Sequence, residues 1–208
     1  MNFKQSGGNE ADESLAALMT NASAVRAIAA AVQGTIGPKG LDTMLVDRFG
    51  EVIITNDGVT ILDKMDVNHP AAKMVINIAK AQQHEVGDGT TTATIMAGAL
   101  VNEGVGQVLR GVPVARVIEG IRLGVSLAQT EMTKRAKAFK DIKDPKLSSI
   151  AMVAGRENAD IADLVVQAAR LIGKEKLLEA NYKLSDIIVA EENANNEVFL
   201  GVIVDKER

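Results

Sequence analysis

Six consecutive residues, Gly87-Asp88-Gly89-Thr90-Thr91-Thr92, combine the residue types that bind a phosphate group together with a metal ion. Glycines let the backbone approach a ligand closely, and the hydroxyl side chains stand where a helix is predicted to begin. A helix N-terminus presents unpaired N–H groups and a partial positive charge to phosphate oxygens. Because an aspartate repels phosphate directly, Asp88 is predicted to bind a divalent cation that bridges to the phosphate. A capped loop without a ligand is the alternative, since Thr and Asp commonly cap helices.

Two further turns contain the same kinds of residues. Thr35-Ile36-Gly37-Pro38-Lys39-Gly40 follows a long helical pattern. It is predicted to be a sharp turn, because Pro38 cannot extend a helix and the glycines permit unusual dihedral angles. Asn56-Asp57-Gly58 lies between two apolar runs, and by itself it is ordinary turn chemistry. Three glycine-containing turns, two of them with an aspartate, together predict a shared nucleotide–metal site.

The elements that must position these turns are predicted to be mainly helices, with small β-hairpins. An apolar stripe at steps of three and four over residues 15–32 predicts one long helix. Residues 43–46 and 52–55 predict a β-hairpin. The pattern then predicts a helix that ends at Val86, a second that begins near Thr90, and a break at Gly111-Val112-Pro113. Beyond a charged connector, it predicts helices at 147–153 and 161–172 and strands at 184–190 and 198–204.

The composition excludes several classes of function. Of the 208 residues, 47% are hydrophobic and only 2% aromatic, which is typical of packed helices built from aliphatic side chains. The net charge of −4 and the shortage of aromatic residues argue against nucleic acid as a partner. The absence of Cys excludes disulfides and thiol catalysis and favours a reducing compartment. Since no apolar run approaches transmembrane length and no signal peptide is found, we expect a cytoplasmic protein without a membrane partner.

The order and spacing of several motifs make the sequence similar to the chaperonins, the ring-forming ATP-dependent machines that fold other proteins. The closest resemblance is to their archaeal and eukaryotic-cytosolic type. The motifs that carry it lie at residues 37–42, 44–47, 56–62, 69–74, 87–92 and 201–207. Residues 93–97 and 102–104 read more like the bacterial type, and this mixture suggests the archaeal-type chaperonins that occur in some bacteria.

The resemblance implies a partial chaperonin fold, with a helical equatorial domain and an α/β intermediate domain. Residues 14–142 correspond to the N-terminal half of the equatorial ATP-binding domain and residues 143–200 to that of the intermediate domain. Residues 201–208 lead towards the apical domain, and residues 1–13 are predicted to be a disordered tail. Because a chaperonin subunit is far longer, we expect this chain to be part of a larger protein, or to have its remainder in another chain. The family's water-positioning aspartate lies in that remainder.

The resemblance also implies a site for ATP and Mg²⁺. The turn Thr35-Ile36-Gly37-Pro38 passes close to the nucleotide, and Asn56 and Gly58 border it. Asp57 lies near the γ-phosphate and is the candidate catalytic residue, which orients water or a second cation. Asp88 is the candidate magnesium ligand. The phosphates are held by its neighbours Gly87, Gly89, Thr90, Thr91 and Thr92.

Arg156 is a further candidate for contact with the nucleotide. Archaeal-type members have a glycine–lysine pair where this chain has Gly155-Arg156, and that lysine senses the γ-phosphate. Arginine keeps the positive charge, but its planar fork differs from an ammonium group. A solvated surface arginine is the alternative.

The resemblance therefore implies a chaperonin subunit that binds and hydrolyses Mg–ATP to drive ring closure around unfolded polypeptide, in homo-oligomeric rings. A non-hydrolysing half-subunit that serves only in assembly is the alternative, and it predicts no ATP turnover by this chain alone. An unrelated kinase or small ATPase is disfavoured, because the G-x-x-x-x-G-K-[ST] spacing of a P-loop is absent.

Overall fold

The apolar stripe near the N-terminus forms helix α1, Gly7–Gln33. The structure, a computed structural model, describes residues 7–37, 39–46, 49–139, 141–155, 157–189 and 195–201. One face of α1 is buried, and its residues recur at the predicted steps of three and four. These residues are Ala22, Val25, Ile28 and Val32. The long helix predicted from the sequence is therefore confirmed.

The start of α1 differs from the prediction. Disorder was predicted for residues 1–13, and this is wrong for residues 7–13, which form the first turns of the helix. Once a helix is nucleated, each further residue adds a hydrogen bond at little additional cost.

Helix α1 also contains a stretch, Asp12–Gln33, that is long and apolar enough to cross a membrane by length and composition. The sequence-based expectation that no run approaches this length is therefore wrong for this alanine-rich helix. The apolar side chains of this helix pack in the protein interior, since Val25, Ile28 and Val32 belong to the core of the first unit. A core helix meets the same length and composition criteria as a membrane span.

The predicted hairpin is confirmed with its bounds. Strands β1, Thr43–Val46, and β2, Val52–Thr55, pair antiparallel, with Met44 opposite Ile54. Leu45, on the other face, packs against the core. Alternation of side chains between the two faces therefore sets the register.

Four helices follow, and the last of them ends a few residues beyond the first unit. They are α2, Gly58–Lys64, α3, Pro70–Glu85, α4, Thr90–Leu109, and α5, Val114–Arg135. Their bounds confirm the predicted helix end at Val86, the start near Thr90 and the break at Gly111-Val112-Pro113. At the start of α3, the ring nitrogen Nδ1 of His69 accepts a hydrogen bond from the N–H of Ala71 at 3.2 Å. His69 is therefore a capping residue, and proline follows it where the helix needs no N–H donor.

The core of this unit lies between α1, α2 and α3. Its buried members are Val25, Ile28, Val32, Ile61, Leu62, Ala72, Val75, Ile76 and Ala79. Helix α4 packs on α1 where Gly98 faces Ala29, and a Cβ at Gly98 would lie 2.5 Å from the Cβ of Ala29. This close crossing ties α4, which follows the turn at residues 87–92, to the helix that leads into the turn at residues 35–40.

Contacts within the chain define two compact units, residues 1–131 and 132–208. The second unit contains α6, Pro145–Ala154, α7, Ala159–Ile172, and the short α8, Lys174–Leu177. The two helices predicted at 147–153 and 161–172 are therefore confirmed. Helix α7 is amphipathic and buries one face through Ala162, Val166 and Ala169.

The strands predicted for the second unit do not form within its described residues. Leu184–Ile187 is a 3₁₀ helix, and residues 195–199 have no regular structure. Residues 190–194 and 202–208 lie outside the described part of the chain. A strand satisfies its backbone groups by hydrogen bonds to a neighbouring strand. The described residues of this unit contain no such partner, so an apolar run is not sufficient to form a strand.

Candidate functional site

The turn at residues 87–92 connects α3 to α4 with two glycines in the left-handed region, at φ of 79° for Gly87 and 78° for Gly89. Glycine adopts this conformation without the steric cost of a Cβ. Gly89 precedes the first helical residue and offers no side chain to cap α4. The first intrahelical bond runs from the N–H of Ala93 to the carbonyl of Gly89. Within the described chain, the N–H groups of residues 90–92 are therefore free for a ligand.

The carboxylate of Asp88 is exposed at this turn. Its Oδ1 accepts a hydrogen bond from the N–H of Gly89 at 2.7 Å, and its Oδ2 has no partner among the described residues. Among the described residues, there is no cluster of three or more His, Cys, Asp or Glu side chains that could hold a metal ion. A magnesium ion bound by Asp88 would therefore take its other ligands from phosphate and water, as Mg²⁺ commonly does.

Asp57 joins the turn at residues 56–58 to the turn at residues 87–92. Its part-buried side chain caps α2, where Oδ2 accepts hydrogen bonds from the N–H of Thr60 at 3.0 Å and from its hydroxyl at 2.7 Å. Oδ1 accepts a long hydrogen bond, of 3.4 Å, from the hydroxyl of Thr90. The candidate catalytic carboxylate therefore lies between two helix N-termini, whose partial positive charges interact favourably with it.

Gly58 allows these two helix starts to meet. A Cβ at this position would lie 2.5 Å from Oγ1 of Thr91 and 3.0 Å from its Cα and N atoms. Those separations are too short for carbon atoms in van der Waals contact. The glycine predicted to border a nucleotide thus has a packing role as well, at the contact between α2 and α4.

The turn at residues 35–40 closes the C-terminal end of α1. Thr35 is buried, and its hydroxyl donates a hydrogen bond to the carbonyl of Val32 at 2.8 Å. Gly37 has a φ of 85°, which confirms the predicted need for glycine. Ile36 is exposed, whereas Pro38 lies outside the described residues. Among the described residues of this turn, Ile36, Gly37 and Lys39 are exposed and can be reached by a ligand.

A side-chain hydrogen bond connects Asp42, which follows the turn at residues 35–40, to Asn56 in the turn at residues 56–58. Nδ2 of Asn56 donates to Oδ1 of Asp42 at 2.6 Å, and the two residues are 14 positions apart in sequence. Asp57, next to Asn56, contacts Thr90 in turn. The turn at residues 56–58 therefore contacts Thr90 on one side and Asp42, a few residues beyond the first turn, on the other, whereas binding of a nucleotide by the three turns stays a prediction.

One further residue was predicted for the site, and two residues that contact it were not. Arg156 belongs to the second unit and lies outside the described residues, so its sensing role stays a prediction. The sequence analysis missed Asp42, which binds Asn56, and Gln82, which binds the backbone carbonyl of Asp88 at 2.8 Å. A polar side chain in the last turn of a helix that ends at a glycine loop was the available signal for Gln82.

An open groove of about 450 Å³ lies beside α2 and α3. Its lining residues are Val59, Thr60, Asp63, Lys64, Lys80, Gln83 and His84. Nζ of Lys80 forms an ion pair with Oδ1 of Asp63 at 2.5 Å. The hydrogen bond from Lys80, and then its positive charge, lower the pKa of Asp63. Since residues 87–92 do not line this groove, it is separate from the candidate phosphate site.

Comparisons with known proteins agree with the resemblance inferred from the motifs. The sequence profile of the TCP-1/cpn60 chaperonin family matches residues 28–208. Thermosome subunit alpha of Thermoplasma acidophilum is 38% identical over 97% of this chain. A thermosome subunit of Methanocaldococcus jannaschii is 40% identical over 90% of it. A solved group III chaperonin in the open state is 49% identical and covers 86% of this chain with a TM-score of 0.76.

The matched proteins are much longer than this chain. It spans 38% of the Thermoplasma protein, 36% of the Methanocaldococcus protein and 36% of the solved group III chain. Together with the helices and the small antiparallel sheet, these matches confirm the predicted fold class.

Proposed function

Because this chain belongs to the TCP-1/cpn60 chaperonin family, we propose that it is the N-terminal, nucleotide-binding part of an ATP-dependent protein-folding chaperonin subunit. The main support is the meeting of two helix starts at Asp57 and Thr90, next to the exposed carboxylate of Asp88. Free N–H groups, hydroxyls and carboxylates in one place fit a triphosphate with its magnesium ion.

The start of α4 holds the phosphates in this proposal. The N–H groups of Thr90, Thr91 and Thr92 and the hydroxyls of Thr91 and Thr92 donate to phosphate oxygens. Gly87 and Gly89 let the backbone approach them, since a Cβ at Gly87 would meet no atom within 4 Å and the space there is open. The hydroxyl of Thr90 donates its one proton to Asp57, so Thr90 links the phosphate at its N–H to the second turn.

The two aspartates have different tasks. Oδ2 of Asp88 binds the magnesium ion, which when bound neutralises the negative charge of the phosphate oxygens. Asp57 orients water or a second cation, and its hydrogen bonds to Thr60 and Thr90 hold its carboxylate in place for this task. Asn56 and the turn at residues 35–38 border the nucleotide, and Arg156 senses its γ-phosphate.

The wider assignment follows the family. Residues 14–142 form the N-terminal half of an equatorial domain, residues 143–200 that of an intermediate domain, and residues 201–208 lead towards an apical domain. The assembled protein is a cytoplasmic double ring of like subunits that encloses unfolded polypeptide. Hydrolysis of Mg–ATP drives closure of the ring.

One observation favours the alternative of a half-subunit that acts only in assembly. Helix α5 has 22 residues and buries none of them in the described chain. Its exposed apolar side chains include Ile118, Leu123 and Leu127, and such a helix needs a further partner to cover it. On this alternative the 208-residue chain has no ATP turnover by itself. Turnover that matches an assembled ring would exclude it.

The test of the proposed function is Asp88→Ala in the complete subunit. We expect magnesium-dependent ATP hydrolysis to fall by at least about 100-fold, which corresponds to roughly 3 kcal/mol of lost transition-state stabilisation. Circular dichroism should be unchanged, because the Asp88 side chain is exposed and its one described hydrogen bond is to Gly89. Asp66→Ala, which removes another exposed carboxylate of the same unit, is the control. Normal hydrolysis by Asp88→Ala would remove Asp88 from the site.

A further inference from the structure

Gln82 binds both ends of the turn between α3 and α4. Its backbone carbonyl accepts hydrogen bonds from the N–H of Val86 at 3.0 Å and from that of Gly87 at 3.2 Å. Its side-chain Nε2 donates to the carbonyl of Asp88 at 2.8 Å. One residue of the preceding helix therefore holds the chain where it leaves α3 and again where it approaches α4.

The second of these bonds controls the direction of a peptide group. A trans peptide holds its C=O and its N–H in one plane, pointing in opposite directions. By holding the carbonyl of Asp88 towards α3, Gln82 directs the N–H of Gly89 away from α3. That N–H is the donor to Oδ1 of Asp88 at 2.7 Å. The orientation of the Asp88 carboxylate therefore depends on the side chain of Gln82.

We propose that Gln82 is a positioning residue, which orients the Asp88 carboxylate for magnesium through the peptide group between Asp88 and Gly89. The inference rests on the proposed function, since it concerns the same ion. Gln82 itself touches neither the ion nor the nucleotide. Loss of a group that orients a metal ligand typically weakens metal affinity 10- to 100-fold. Because Gln82 acts through one intervening peptide group, we expect an effect at the lower end, about 10-fold.

Two neighbouring glutamines supply a matched pair of variants. Gln82→Met keeps the length and neutrality of the side chain but removes its donor. Gln83→Met makes the same chemical change one position along the same helix, at an exposed side chain that lines the groove beside α2. Unequal effects of the two variants would therefore report on the bond to Asp88 and not on the loss of an amide from α3.

The first measurement is the affinity of the complete subunit for a non-hydrolysable ATP analogue, with magnesium and with EDTA, by isothermal titration calorimetry. In Gln82→Met, the factor by which magnesium raises the affinity for the analogue should fall about 10-fold, and the affinity measured in EDTA should match that of the wild type. In Gln83→Met, the affinities with magnesium and in EDTA should both match those of the wild type. The double variant Gln82→Met, Asp88→Asn should bind the analogue with magnesium as well as Asp88→Asn alone does, because Gln82 acts through Asp88. An unchanged magnesium effect, or equal weakening with and without magnesium, would overturn the positioning role.

The second measurement needs no ligand. The amide of Gly89 should exchange with solvent faster in Gln82→Met than in Gln83→Met, because its peptide plane is no longer held. Equal exchange rates would overturn the inference, whatever the nucleotide titration shows. A complete wild-type subunit that binds no ATP analogue would instead refute the proposed function, and the magnesium task of Asp88 with it. The two failures are therefore distinguishable.

Discussion

Gly58→Ala should separate the starts of α2 and α4. The added Cβ would lie 2.5 Å from Oγ1 of Thr91 and 3.0 Å from its Cα and N atoms. Rotation of the Thr91 side chain can relieve the first contact but not the two with its backbone. Overpacking of this kind costs about 1–3 kcal/mol, and the better helix propensity of alanine offsets up to about 1 kcal/mol of it. We therefore expect the free energy of unfolding to fall by about 1–2 kcal/mol.

Thermal unfolding followed by circular dichroism measures this effect. A loss of about 1–2 kcal/mol lowers the Tm of a chain of this size by roughly 2–8 °C. Gly120→Ala is the control, because a Cβ at Gly120 on α5 would meet no atom within 4 Å. That variant should unfold at the wild-type temperature or slightly above it. A Gly58→Ala chain at least as stable as the wild type would refute the close contact between Gly58 and Thr91.

Two further substitutions test the backbone of the phosphate turn and the ion pair between Asp63 and Lys80. Gly89→Ala places a Cβ at a φ of 78° and should lower the free energy of unfolding by about 1–2 kcal/mol in urea titrations. Gly106→Ala, within α4 and with open space around the added Cβ, should not lower the free energy of unfolding. Equal losses in the two variants would contradict the role of φ. Asp63→Asn removes the ion pair with Lys80 and should cost at most about 1 kcal/mol at neutral pH, because both side chains are substantially exposed. Since Lys80 lowers the pKa of folded Asp63, this stabilisation is present above the unfolded-state pKa and is lost as pH falls through the folded-state pKa. Wild type and variant should therefore unfold alike in strong acid, and a difference that persists there would count against the ion pair.

Features that depend on near neighbours in the chain could be predicted. The glycines at 37, 87 and 89 have the positive φ angles that their turns require, since only local sterics decide this. The hairpin and the helix break at Gly111-Val112-Pro113 also follow the sequence pattern. The motifs at residues 56–62 and 87–92 carried the family resemblance, which the comparisons confirm.

Features that depend on a distant partner could not be predicted. Residues 184–187 form a 3₁₀ helix and not the predicted strand, because no neighbouring strand is present among the described residues. The polar residues 7–13 are helical and not disordered, because they extend a helix whose later turns are packed in the core. In both cases the outcome depends on packing that the local pattern does not contain.

The same division runs through the candidate site. The amino-acid sequence alone supplies its chemical groups, two aspartates and three threonines next to glycines, and it supplies the helix start that directs free N–H groups outward. The tertiary structure alone decides which groups meet. Asp57 contacts Thr90 across 33 positions, and Gly58 packs against Thr91. These contacts exist because the core between α1, α2 and α3 is buried and α4 packs on α1, and this packing sets where each helix begins. The positions of the polar turns therefore follow from the packing of the helices that they connect.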